Sequence, residues 1–208
     1  MSTPGLPQWT FRRPDYGKDC EYVNRTSVNV TVTSKVIGAA IVVPFSLTEG
    51  PQTYPPGHPK AGDHPLYRIN TYSMVVDGKS EYEVIRFGLQ NKGTVLKQRI
   101  CDAGLACGQS ARPTWVPGYK PHSFEATGYE GAWRIMDGKA FLIHEGPNTG
   151  LYQAGGSLGC IEVLNTRWPD FMDELINITG EPWPEIGKYR LINLTINAAS
   201  APMATLVY

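Results

Sequence analysis

The sequence predicts a mainly β protein, a sheet sandwich or open barrel with one short helix. Three observations carry that expectation. Apolar residues come in short runs rich in Val, Ile, Thr and Tyr, the side chains that suit a pleated, half-buried surface. The 208 residues include 22 Gly and 17 Pro, enough to punctuate such runs with turns. Two Asp-Gly steps, at Asp77-Gly78 and Asp137-Gly138, each sit between apolar runs, and Asp-Gly favours the positive φ angles of tight hairpins.

Met1 to Lys18 is broken by proline and glycine and reads as an irregular arm, with Trp9 and Phe11 as its anchors. Ser27 to Thr33 alternates polar and apolar residues, the period of a half-buried strand, and Lys35 to Phe45 is an apolar run stopped by Pro44, expected as a buried strand. Glu49 to Pro65 is too rich in Pro and Gly for regular structure; His58 and His64 within it read as surface histidines. Tyr67–Val76 and Ser80–Leu89 form the first expected hairpin, Val95–Ile100 a further strand, and 108–129 a loop with scattered aromatics, Trp115 and Tyr119 among them. Ala132–Met136 and Lys139–Ile143 form the second hairpin. One helix follows residue 165, capped by Asn165 or Thr166, with Pro169 in its first turn and Asp170, Asp173 and Glu174 toward its positive end. Phe171, Met172, Leu175 and Ile176 give it an apolar stripe, and Gly180 ends it. Tyr189–Ile196 is the last strand. Residues 1–66 thus read as an arm, strands and a Pro-rich loop, and 67–208 as the functional region, together one compact domain.

Nineteen basic and nineteen acidic residues leave no net charge, so nucleic acid is not an expected partner. No apolar run approaches the roughly 20 residues of a membrane-spanning helix, and no membrane insertion is expected. The amino terminus lacks the apolar core of a Sec signal, which leaves export by another route as one expectation for a protein acting in the cell envelope. Cys101 and Cys107 bracket a glycine-containing loop and read equally as a small disulfide ring or as two thiols. No metal or other cofactor is expected, because no histidines flank that pair. Four Asn-x-Ser/Thr sites, at Asn24, Asn29, Asn177 and Asn193, are read as the composition of Thr-rich strands.

The stretch of greatest chemical interest is Ala140 to Asn165, AFLIHEGPNTGLYQAGGSLGCIEVLN. Its two apolar runs read as strands sharing one core, and the loop between them brings His144 and Cys160 to neighbouring strand ends. A thiol beside an imidazole can become a nucleophile, and a glycine before it lets backbone N–H groups approach a developing oxyanion. Without that context a buried cysteine and a strand-end histidine are ordinary structural residues.

His144 followed sixteen positions later by Cys160, in the run Ser157-Leu158-Gly159-Cys160-Ile161, resembles the signature of the L,D-transpeptidase catalytic domain. The resemblance extends over about Tyr67 to Leu175. Leu158 stands where most members carry a second histidine, and Glu162 where they carry Arg or Asn. Divergent members with Ser-x-Gly-Cys, secreted antibacterial effectors among them, are more similar to this pattern. The resemblance implies an L,D-transpeptidase-like β-sandwich, with the cysteine at the foot of a cleft. It also implies acyl transfer, hydrolysis or D-amino acid exchange on the stem peptide of peptidoglycan. In that reading Cys160 is the nucleophile, His144 the base, Gly159 an oxyanion donor and Ser157 a polar support. Glu162, Asn148, Trp133 and Tyr152 are candidate substrate contacts, the protein acts in the periplasm, and a cognate immunity protein is a further partner of an effector. Two other classes stay open: an inactive module that only binds cell-wall peptide, and a cysteine hydrolase of unrelated fold.

Overall fold

The computed structural model describes residues 24–42, 66–88, 110–120, 129–148, 159–200 and 202–207. Within them the chain is mainly β, a mixed sheet curled into a half-barrel. In chain order the elements are β1 (Val28–Val42), β2 (Tyr67–Val76), β3 (Ser80–Ile85), β4 (Ser110–Ala111), β5 (Thr114–Pro117), β6 (Gly131–Arg134), β7 (Leu142–Glu145) and β8 (Ile161–Val163). Then come α1 (Trp168–Thr179), α2 (Trp183–Lys188), β9 (Ile192–Ile196) and β10 (Thr205–Leu206). The strands lie in the order β4-β9-β1-β2-β3-β8-β7-β6-β5, with β10 added to β2. Two neighbouring pairs are parallel, β1 with β9 and β7 with β8.

Both Asp-Gly turns form. Asp77 and Gly78 adopt φ of 44° and 70°, and β2 and β3 pair from Val76↔Ser80 outward. The second hairpin closes through Ile135 N–H to the Phe141 carbonyl at 2.9 Å. The two runs expected as separate strands at 27–33 and 35–45 are one strand, β1, bent by register shifts between Val32 and Gly38. Its middle is not buried as the apolar run implied: Val36 and Ile37 are 48% and 36% exposed. At the bend the Arg86 guanidinium, itself 1% exposed, donates to the Thr33 carbonyl and, at 2.6 Å, to the Asn197 carbonyl just after β9. A bend that disrupts ladder pairing thus finds a buried donor.

The main core lies on one face of the sheet. Val28, Val30 and Val32 of β1, Met74 of β2, Val84 of β3, Ile143 of β7 and Ile161 and Val163 of β8 pack with Trp168, Phe171, Met172 and Leu175 of α1. The helix starts at Trp168 with Pro169 in its first turn and ends on Gly180 at φ 72°, as the sequence implied. Its cap differs: the N-cap is Arg167 without a side-chain bond, because Asn165 and Thr166 spend their positive φ angles turning the chain out of β8. Glu174 is fixed from the sheet, accepting from Tyr82 Oη at 2.6 Å and from Ser80 Oγ.

Four elements were not foreseen, among them β10, which follows the strand expected to be last. β4 and β5 lie in the stretch read as loop, their signal blurred by Pro113 and Pro117, residues that only an edge strand tolerates. The short α2 packs on that edge, where Gly187 meets the Trp115 backbone. Trp115 also covers Gly131, whose φ of 155° and lack of a side chain leave room for the indole. Val95–Ile100, Cys20, Cys101, Cys107 and the Pro-rich stretch with His58 and His64 lie outside the described residues.

Gly131→Ala should destabilise the fold by about 2–4 kcal/mol, because the new methyl lands inside the Trp115 indole at an unfavourable φ. Gly78→Ala meets open space and should cost only about 1 kcal/mol. Urea unfolding of both variants checks the order; equal losses would show that Trp115 does not hold the β5 edge.

Candidate active site

The site is built by the β7–β8 pairing. Ile143 stands opposite Ile161, His144 opposite Glu162 and Glu145 opposite Val163. Paired residues of parallel strands point to one side, and alternate residues point to the other. Ile143 and Ile161 therefore enter the core against α1, and His144 and Glu162 face away from it. Cys160, one step before β8, falls on the His144 side, diagonal to the histidine at about 8 Å between strand positions.

Each group has a defined environment. His144 is 2% exposed, and its Nδ1 lies 2.7 Å from the Glu145 carbonyl oxygen. A carbonyl only accepts, so Nδ1 carries the proton and the ring's lone pair is on Nε2. Cys160 is half-buried, and its Sγ–H donates to the Ala140 carbonyl at 3.5 Å. Burial pushes the thiol up to about 11, with the Leu142 backbone bond working against that rise and the Glu162 charge adding to it. The resting sulfur is therefore a neutral thiol. Apolar cover and the Glu162 carboxylate both oppose its ionisation. Gly159, at φ 132°, takes a conformation that glycine adopts with least strain, so the backbone turn into the cysteine depends on it.

Glu162 sits in the middle of the site face, with His144 beside it on β7 and Ile85 beside it on β3. Gly146 leaves it room, since a Cβ there would come within 2.9 Å of Glu162 Cβ. Only 9% of the residue is exposed, and burial pushes its carboxyl up to about 8. Tyr119 covers the same face, its ring 5.2 Å from the His144 ring. Burial, then the negative charges of Cys160 and Glu162, push its phenol up to about 12, so it stays a hydrogen-bond donor. Tyr119 was foreseen only as one loop aromatic among several. The Pro117-Gly118 step that turns it off the end of β5, with Gly118 at φ 68°, was its only local signal.

Of the other expected site residues, Ser157 and Tyr152 lie outside the described residues. Asn148 is at the far end of β8 from Cys160, next to Pro147, whose carbonyl accepts from Asn165 N–H. Trp133 does not reach the site face. It pairs with Ile143, so it points into the core, fully buried, with Nε1 3.3 Å from Met172 Sδ and its ring against Trp115. Among the described residues no group of three His, Cys, Asp or Glu side chains is arranged to hold a metal ion.

Two measurements follow from these charges. Alkylation of Cys160 by iodoacetamide should climb steadily from pH 7 to 10; a rate already at its plateau at neutral pH would mean a stable thiolate. Glu162 holds its proton in the folded chain up to about pH 8 but loses it near ~4.3 when unfolded. Between those values the unfolded state binds fewer protons, so its contribution is fully present below pH ~4.3 and falls as pH rises, by at most about 1.4 kcal/mol per unit. Glu162→Gln should flatten stability across pH 5–8 and raise it at pH 8, as read by urea unfolding; an unchanged curve would place the carboxyl in water.

Comparison with family models, with curated proteins and with solved structures finds no match to this chain.

Proposed function

We propose that this chain is a cysteine acyltransferase acting on peptidoglycan stem peptides through a thioester on Cys160. The observation that supports it most is the in-register pairing of β7 and β8, with His144 and Cys160 on one face and Nδ1 of the histidine committed to a carbonyl. The substrate class rests on the resemblance carried by His144, Ser157, Gly159, Cys160 and Ile161.

With a neutral thiol at rest, the first step is general-base catalysis. His144 Nε2 takes the Sγ proton as sulfur attacks the peptide carbonyl. The C–N bond then breaks, and the same proton passes from His144 to the departing amine. Water or an amine next attacks the thioester, and Cys160 leaves as the thiol once His144 returns a proton. Apolar cover that raises the thiol at rest also excludes water from the acyl-enzyme, which favours transfer over hydrolysis. The raised thiol gives a second reading some support, a binding module that grips the stem peptide without turnover.

Incubation with purified muropeptides, followed by mass spectrometry, separates the two. The expected products are stem peptides that have lost the terminal D-alanine, or exchanged it for an added D-amino acid. Cys160→Ala should abolish them, and His144→Ala should lower the rate by about 10²-fold or more. Unchanged muropeptides with wild-type protein, or equal turnover by Cys160→Ala, would overturn the assignment; binding without turnover would establish the module.

A further inference from the structure

Glu162 is a carboxyl at the centre of the site face, 9% exposed and opposite His144 on the neighbouring strand. A negative charge on that carboxyl is costly in so apolar a setting, and a cationic ligand would offset the cost. Among the described residues its neighbours are His144 on β7, Gly146 just after it, Ile85 on β3, Cys160 just before β8, and Tyr119 over the same face, with Arg134 farther off on β6. None of the adjacent side chains is cationic, and burial alone raises the Glu162 carboxyl. We propose that Glu162 is the seat for a primary ammonium on the acyl acceptor, and that its carboxylate takes a proton from that ammonium as the amine attacks the thioester. The proposal rests on the acyl-transfer reading and names its acceptor class.

Position and chemistry agree. Cys160, one step before β8, and Glu162 are two residues apart on one face, about 6.6 Å along the sheet. A nitrogen attacking an acyl carbon held on Sγ arrives between them. An ammonium offers three donors and the opposite charge, and water offers no charge for the carboxylate to select. Glu162 is pushed up to about 8, toward the range of an amine, so its carboxylate is a competent base for the ammonium proton. The step balances. As R–NH3+ binds, Glu162 gives its resting proton to solvent and becomes the carboxylate. The ammonium then gives it one proton, the nitrogen lone pair forms the C–N bond, and the C–S bond breaks to the Cys160 thiolate. A second proton leaves nitrogen for His144, which is neutral after acylation, and passes on to the thiolate, leaving Glu162 protonated as it began.

The test compares the whole wild-type chain with Glu162→Gln, which matches the protonated side chain in shape. Each is given a tetrapeptide muropeptide with D-methionine, or with hydroxylamine, a nucleophile uncharged at neutral pH. The readout is the ratio of exchanged to hydrolysed product, from which changes in acylation rate cancel. In Glu162→Gln the D-methionine ratio should fall tenfold or more, and the hydroxylamine ratio by less than twofold. If both ratios fall alike, if neither falls, or if only the KM for the muropeptide rises, the seat is not for the acceptor and the proposal fails. Calorimetry gives a readout that needs no turnover. Cys160→Ala protein titrated with D-methionine methyl ester at pH 7 should release close to one proton per molecule bound, and the double variant with Glu162→Gln none. Proton release from a protein whose wild type makes neither product would uphold the seat and sink acyl transfer. Neither binding nor turnover would sink both.

Discussion

The functional face exists because β7 and β8 run parallel in one particular register. A shift of one residue would send His144, Glu162 and Cys160 into the core and bring Ile143 and Ile161 out to the surface. Burying three polar groups against α1 would cost far more than the two strands gain by pairing, so the hydrophobic pattern of the strands fixes the geometry of the chemistry. Ile143, Ile161 and Val163 are as much part of the site as the histidine, because their burial against Trp168, Phe171 and Leu175 locks the register. The neighbouring strands continue the same logic: Trp133 backs Ile143 from β6, and Val84 backs Val163 from β3.

Low polarity on the other face then sets the charges. Ile85, Gly146 and the Tyr119 ring limit water at Glu162, and burial likewise raises the Cys160 thiol. Both groups are held in their neutral forms, and the histidine has its basic nitrogen chosen by the Glu145 carbonyl. A site of this kind rests uncharged and develops charge only with substrate present, when the oxyanion, the imidazolium and any cationic reactant appear together. Preorganised donors and acceptors are worth most under those conditions.

Much of this was legible in the sequence, for local reasons. The two Asp-Gly hairpins, the helix with Pro169 near its start and Gly180 at its end, and the strand-borne His144 beside the strand leading from Cys160 all depend on neighbours a few residues away. What escaped depends on distant partners. Trp133 looked like a substrate contact because an aromatic before the histidine has no visible side; its pairing with Ile143 turns it inward. Tyr119 comes to the site from a segment 25 positions before His144, and only the edge strand β5 brings it there. The imidazole near Cys160 is written in the sequence, but the dry environment that keeps the thiol neutral is not. β5 itself was masked by prolines whose tolerance depends on its place at the sheet edge.

The pairing of β1 with β9 has a consequence for how the chain reaches this state. Val28 meets Ile192, and Arg86 reaches both the bend in β1 and the Asn197 carbonyl, so the middle of the sheet joins the two ends of the described chain. Contacts of such long sequence separation form late, after much loop entropy has been lost. During synthesis the first hairpin and the β6–β7 hairpin can form as they emerge, but β1 keeps one open edge until β9 leaves the ribosome. Through that interval the apolar residues of β1 along its open edge stay accessible to chaperones or to other chains.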